Sequence, residues 1–295
     1  MTITTQNTTP APRPFLRLAV MLALAPAALP SIGAQDALPA PALHYAPSAP
    51  GSAQPNAGTN AGLATKPNLL VLKKNTAPKF GDCAPADLVL GEGTGPFQKG
   101  RAIDFSANET NGGKVTHMAS APRTDLGGLD ACTLTLWYKL DSPLARGAYT
   151  TLFRSSTLDL LFVGDELRAI PRGTSAAAGA PERLNAPRNP LLAREGEWVF
   201  VALAWDGATG VTTLWCGNES ARAAVLKSAS LAARGKSVKS AMVVNLGYHN
   251  LTDGGTRAFD GRMADIRFHT TALSPSQVEA VRVDAARTPA RRGRP

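Results

Sequence analysis

Cleavage of a glycosidic bond needs two carboxyl groups facing one cleft, about 5 to 10 Å apart, and acids two residues apart on a strand project to one face. In this 295-residue chain the closest approaches are Glu195-Gly-Glu197 and Asp159. The glutamates precede an apolar run and lack a third acid in phase, so they read as solvated loop charges. Zinc chemistry has no ligand set: His44, His117, His249 and His269 are scattered, and neither His-Glu-x-x-His nor Cys-x-x-Cys occurs. A Gly-x-Ser-x-Gly nucleophile elbow is absent. Gly91-Glu-Gly-Thr-Gly95 lacks the Lys-Ser/Thr pair and the helix that a phosphate loop requires. Cys83, Cys132 and Cys216 allow three alternative single bridges. Cys132 and Cys216 alternate with Leu134 and Leu214, which favours small buried hydrophobes over a bridge.

Binding chemistry has more to stand on. In the run 132–139, Leu134, Leu136 and Tyr138 share one face, and Thr133, Thr135, Trp137 and Lys139 share the other. Val211, Thr213 and Trp215 share a face of a later run. A Trp among threonines offers a flat apolar surface for the C–H face of a sugar ring. Trp137, Lys139, Trp215 and Tyr248 are therefore the candidate ligand-binding residues. The competing role for such a Trp is packing beneath a loop or at a sheet edge.

The elements that must position these side chains are strands. Short apolar runs separated by turn residues occur at 86–90, 101–106, 114–118, 132–139, 149–153, 158–163, 166–170, 198–205, 211–216, 223–227, 242–246 and 262–269. That many strands at roughly ten-residue spacing indicate a β-sandwich. Gly164-Asp165 marks a tight hairpin and Asp206-Gly-Ala-Thr-Gly210 a longer one. Trp198-Val-Phe-Val-Ala-Leu-Ala-Trp205 is apolar on both faces and belongs in the middle of a covered sheet. One helix is expected, after Ser274-Pro-Ser-Gln277, which supplies a capping Ser, Pro at the first helical position and Gln three residues after the cap.

Several of these runs occur together in a known order. Cys132-Thr-Leu-Thr-Leu-Trp-Tyr-Lys139, Glu197 to Gly217, and Phe259-Asp-Gly-Arg-Met-Ala-Asp-Ile-Arg-Phe-His269 with Ala272-Leu-Ser-Pro-Ser-Gln-Val278 resemble the laminin-G-like, concanavalin A-like lectin/glucanase jelly-roll family. Gly100-Arg-Ala-Ile-Asp-Phe105 resembles its opening strand, and the match spans about residues 80 to 285. The resemblance implies an all-β, two-sheet jelly-roll β-sandwich with one short C-terminal helix. It also implies a calcium ion at the rim, for which Asp206, Asp253 and Asp260 are weak candidates because each also suits an ordinary turn. The family includes both enzymes and binding modules, so the fold alone does not choose between them.

The rest of the chain sets the organisation. Residues 1–34 read as a secretory signal peptide, with Arg13 before an apolar stretch and small residues at its exit. Residues 35–66, rich in Ala, Pro and Ser, read as a disordered linker. Residues 67–286 are the expected jelly-roll domain and 287–295 a basic disordered tail. With 44% hydrophobic and 18% charged residues the domain can build a sizeable core, which excludes full-length disorder. The formal charge of +9 comes from 31 basic and 22 acidic residues. Seven of the basic residues and one acid lie in 1–34 and 281–295, leaving 24 against 21 between them. This removes the case for specific nucleic-acid binding and leaves weak contact of the tail with acidic polymers. The expectation is an exported, non-catalytic jelly-roll module for extracellular carbohydrate or a surface protein, with no transmembrane segment once the signal is removed. The alternatives are a glycan-cleaving enzyme of the same fold and a structural surface protein without a discrete ligand.

Overall fold

The computed structural model describes residues 37–47, 53–59, 62–63, 66–67, 70–76, 79–82, 88–106, 117–121, 127–144, 149–237, 244–247 and 259–287, with backbone alone over 62–82 and at 117, 118, 120 and 121. The expected signal segment, the tail beyond Arg287, Cys83, Tyr248, His249 and Asp253 lie outside the described residues. The chain divides into Met1–Gln35 and Asp36–Pro295, and every described element belongs to the second unit. Among the described residues no helix is long and apolar enough to cross a membrane.

Among the described residues twenty strands, a short 3-10 turn at Pro96–Gln98 and one α-helix follow in order. The first eight strands are β1 (Leu43–Tyr45), β2 (Ala53–Gln54), β3 (Gly62–Leu63), β4 (Lys66–Pro67), β5 (Leu70–Thr76), β6 (Lys79–Asp82), β7 (Ile103–Asp104) and β8 (His117–Ala121). The middle of the chain forms β9 (Ala131–Leu140), β10 (Tyr149–Arg154), β11 (Leu158–Val163), β12 (Glu166–Pro171), β13 (Gly173–Ala176) and β14 (Leu184–Asn185). Then come β15 (Trp198–Asp206), β16 (Val211–Asn218), β17 (Ala224–Ser230), β18 (Ala233–Ser237), β19 (Val244–Leu246), β20 (Gly261–His269) and α1 (Pro275–Arg287). One sheet runs β1-β20-β9-β15-β16-β17, with β7 also on β20. The other runs β14-β12-β11-β10-β19-β8-β5-β2, with β6 on β5. Every pairing between the strands named above is antiparallel, as alternating in-and-out sequences favour, with one parallel bridge from Leu140 to Glu195.

The expected local features appear. β11 and β12 meet in the register Val163↔Glu166, so Gly164-Asp165 is the two-residue turn, with Gly164 at φ 60°. β15 lies between β9 and β16 and is buried along nearly its whole length. The helix carries the anticipated box: the Ser274 N–H donates to Gln277 Oε1 at 2.9 Å and the Gln277 N–H to Ser274 Oγ at 3.3 Å. Such reciprocal capping satisfies donors that the first helical turn leaves open.

The main core holds the inward residues of both sheets, among them Leu134, Leu136 and Tyr138 of β9, Val201 and Trp205 of β15, and Leu158, Leu160 and Phe162 of β11. A second cluster on the outer face of the β9-β15-β16 region unites Trp137, Phe200 and Trp215 with Val278, Val281 and Ala285 of α1. One outer face thus carries the helix, whereas on β10-β11-β12 the outward positions include Arg154, Asp159, Glu166 and Arg168.

The stretch 35–66, expected as a disordered linker, contains β1, β2 and β3. Leu43–Tyr45, inside the stretch expected to be a disordered linker, forms β1 against β20, with Leu43 and Tyr45 buried in the main core. Two large side chains separated by one polar residue gain enough from burial to order this short segment despite its Pro/Ala-rich neighbours. Asn56 fastens it further, accepting from the His44 N–H at 2.8 Å and donating to Ala42 O at 3.1 Å. Of the expected strand 86–90 only residues 88–90 are described, with a bridge at Val89, and the expected strand 101–106 shortens to β7.

Candidate functional site

The polar outer face of β10-β11-β12 is built by their register, which sets Arg154 beside Asp159 and Asp159 beside Ile170. The turn that places Asp159 is made by its own sequence: Ser155 Oγ accepts from the N–H groups of Thr157 and Leu158. Asp159 is 4% exposed. Its Oδ2 accepts from Arg172 Nη2 at 2.6 Å, and Arg154 Nε stands 3.9 Å from Oδ1. Burial pushes the Asp159 carboxyl up, and the charges of Arg172 and Arg154 oppose that rise.

Arg172 continues from this pair into a groove of about 460 Å³, whose lining includes Ser156, Ile170, Thr174, Ser175 and Glu182. One wall is the β13–β18 pairing, in which Gly173 opposes Ser237. A Cβ on Gly173 would lie 2.2 Å from Arg234 O, so this close approach of two backbones requires glycine. The groove offers a guanidinium, hydroxyls and an exposed carboxylate together with the apolar Ile170, Pro171 and alanines. That mixture suits a polyhydroxylated ligand, in which apolar side chains contact C–H faces and polar groups fix orientation.

Trp137, Lys139 and Trp215, expected to bind ligand, do not line this groove. Trp137 and Trp215 are 0% and 4% exposed and pack in the second hydrophobic cluster, so they are corrected from platform to core. The Trp/Thr face of β9 and β16 is the face that carries α1, and a helix that buries its own apolar stripe covers it. Lys139 is half-buried between Trp198 and Arg262 on the neighbouring strands. Tyr248 lies outside the described residues.

The calcium candidates do not converge. Asp206 pairs with Ala131 at the start of β9, whereas Asp260 precedes Gly261, which pairs with Leu140 at its end. Ten extended residues separate them by about 30 Å. Asp206 accepts from the Ala208 N–H in its own turn, and Asp260 accepts from the Ser142 hydroxyl. Asp253 is not among the described residues, which contain no group of three or more potential metal ligands. Glu195 and Glu197 are exposed loop residues, Glu197 being paired with Arg194 at 3.0 Å. Cys132 and Cys216 are free and buried.

A second polar cluster lies where β1, β20 and α1 meet. His44 Nε2 is 2.7 Å from Asp265 Oδ1, and Arg267 makes two bonds to the same carboxylate, at 2.8 and 3.0 Å. Arg267 also pairs with Asp284 of α1 at 2.8 Å. Asp265 sits at φ 47° in a β-bulge between Ala264 and Arg267, which turns its carboxylate to these partners. Burial alone would raise the Asp265 carboxyl, but Arg267 and His44 outweigh it and hold it below the usual range. His269, two residues on, is fully buried, and burial with the nearby Arg267 charge pushes it down to about 4.

This fold matches known structures at low identity. Domain 4 of an extracellular arabinanase from Geobacillus stearothermophilus, in complex with arabinotriose, is 14% identical, with TM-score 0.51 over 82% of this chain and 98% of that one. The ligand binding domain of botulinum neurotoxin serotype D, in complex with N-acetylneuraminic acid, is 11% identical, with TM-score 0.50 over 82% of this chain and 50% of that one. The chain therefore corresponds to about half the length of the toxin fragment. At these identities the likeness is one of fold. No curated protein matches the chain by sequence. The sequence pattern of the concanavalin A-like lectin/glucanases superfamily covers residues 111–279, more than half of the chain. With the two antiparallel sheets and the capped C-terminal helix already described, the chain belongs to the concanavalin A-like lectin/glucanases superfamily.

Proposed function

We propose that the protein is an exported, non-catalytic module that binds extracellular carbohydrate, and that the groove beside Arg172 is its binding site. The observation that carries this reading is the groove's lining, which combines Arg172, Thr174, Ser175 and Glu182 with Ile170, Pro171 and alanines. Two structural neighbours hold saccharides, arabinotriose in one and N-acetylneuraminic acid in the other. The buried carboxylate favours binding over catalysis. Asp159 is held by Arg172 and flanked by Arg154, so it is occupied in positioning the guanidinium.

A glycan array probed with the full chain, with and without calcium, tests the reading. Binding to defined oligosaccharides that falls at least about tenfold in Arg172→Ala and in Glu182→Ala supports it. Binding unaffected by either substitution moves the site elsewhere, and no binding to any glycan refutes it. The glycan-cleaving alternative has one observation in its favour: Asp159, with its raised carboxyl, lies behind a groove that also contains Glu182. Release of reducing ends from the glycans that bind, abolished in Asp159→Asn, would establish that reading instead.

A further inference from the structure

Most of the hydrogen-bonding capacity of Arg172 is unspent. A guanidinium carries N–H donors on all three of its nitrogens. Among the described residues only Nη2 is engaged, donating to Asp159 Oδ2 at 2.6 Å. Nε is buried without a partner, and Nη1 makes no bond. The side chain is nevertheless 36% exposed, and it opens onto the groove.

The guanidinium is also held in place before any ligand arrives. The Arg172 N–H donates to Thr157 O at 2.8 Å, which ties its backbone to the turn that places Asp159. The buried Asp159 carboxylate anchors the head group, and the next residue, Gly173, is pressed against the backbone of Arg234. An arginine fixed at both ends loses little rotamer freedom when it binds. Beyond it the β13–β18 register slips between Gly173 and Ser175, a bulge at Thr174. Thr174 and Ser175 are exposed, and their successive hydroxyls both belong to the lining. A Cβ on Gly235 would lie 3.0 and 3.2 Å from the two hydroxyl oxygens, so glycine there leaves them uncrowded.

A neutral sugar meets these donors with single hydroxyl oxygens. A carboxylate brings two acceptor oxygens and a charge, and hydrogen bonds to an ionised partner are about twice as strong as neutral ones. Two charges of the site oppose an anion. Asp159 faces Arg172 from behind, but it lies between Arg172 and Arg154, so its field is divided between two guanidiniums. Glu182 is the one acidic residue of the lining, and it is exposed, so water and salt screen its repulsion. The fixed and partly buried Arg172 is screened less and decides the preference.

We propose that the groove recognises a sugar residue that bears a carboxylate, a uronate or a sialate, through the free donors of Arg172, with Thr174 and Ser175 bonding to its ring hydroxyls. This inference rests on the carbohydrate reading above and adds the charge of the ligand to it.

Isothermal titration calorimetry on the full chain tests it with four probes: trigalacturonate, sialyllactose, and each of these after reduction of its carboxyl to a primary alcohol. The wild-type comparison needs no substitution, so the folding of a variant does not enter. At least one acidic sugar should bind about tenfold or more tighter than its reduced counterpart, by an amount that shrinks as salt rises from about 0.05 to about 0.5 M. Whichever of the two acids binds tells uronate from sialate. Arg172→Lys keeps the charge and loses the planar fork, and should lower the acid-to-neutral ratio at least about threefold. Equal affinity for acidic and reduced forms, with binding still lost in Arg172→Ala, overturns the acid preference and leaves the groove reading intact. An acid preference that persists unchanged in both Arg172→Lys and Arg172→Ala overturns the assignment to Arg172. Failure of all four probes overturns the inference, and the carbohydrate reading falls with it only if the glycan array is also blank.

Discussion

His269 makes the protein's acid stability predictable. The side chain is fully buried, and its folded-state value of about 4 lies well below the 6.5 of an unperturbed imidazole. Above pH 6.5 the ring is neutral in both states and contributes no pH dependence. As pH falls below 6.5, the unfolded chain takes up a proton that the folded chain refuses, so stability falls until the folded ring also titrates near pH 4. Across that window a proton bound only by the unfolded chain costs about 1.4 kcal/mol for each step of one in pH, so the loss is about 2 kcal/mol at pH 5 and about 3 kcal/mol at pH 4. His269→Gln removes the titrating group. Urea unfolding curves at pH 7, 6, 5 and 4 should show the wild type losing stability relative to the variant by those amounts, whatever the variant's stability at pH 7. Asp265, held low by Arg267 and His44, adds its own loss below the usual carboxylate range, but it does so in both proteins. Parallel pH profiles for wild type and variant would refute the reasoning.

Two further outcomes follow from packing and capping. Tyr45→Ala empties a site in the main core and should cost about 3 to 5 kcal/mol in urea unfolding, as a large aromatic truncation does; a loss under about 1 kcal/mol would mean that β1 is dispensable. Ser274→Ala removes the Oγ acceptor at the start of α1 and should cost about 1 kcal/mol, seen as a small drop in melting temperature without loss of secondary structure by circular dichroism.

The fold was largely legible because its strongest signals are local. Gly164-Asp165, Asp206 to Gly210 and Ser274 to Gln277 each specify a turn or a cap within a few residues, and the all-apolar β15 run could only be a covered central strand. Side-chain alternation along 132–139 correctly separated Leu134, Leu136 and Tyr138 from Thr133, Thr135 and Trp137. It could not say which layer would cover the second face. α1 begins more than 130 residues later in the chain, and its docking turned Trp137 and Trp215 from a candidate surface into core. The groove was harder to see, although part of its signal was present. Once Gly164-Asp165 fixes the hairpin, counting outward pairs Asp159 with Ile170 and brings Arg172 just beyond. The opposite wall comes from β18, some sixty residues further on, and no local pattern announces that pairing.

The edge of the helix-bearing sheet has a consequence for how the molecule is made. His44 and Asp265 are 221 residues apart in sequence, so β1 leaves the ribosome long before the strand it pairs with. Such a contact repays its loop-closure entropy only at the end, which favours slow assembly. Until β20 arrives, β9 has an unpaired edge and Leu43 and Tyr45 have no core to enter. A chain cut short before Gly261 therefore loses β20 and leaves both β1 and β7 without the strand they pair on, and it exposes the kind of open edge on which copies of a nascent protein aggregate.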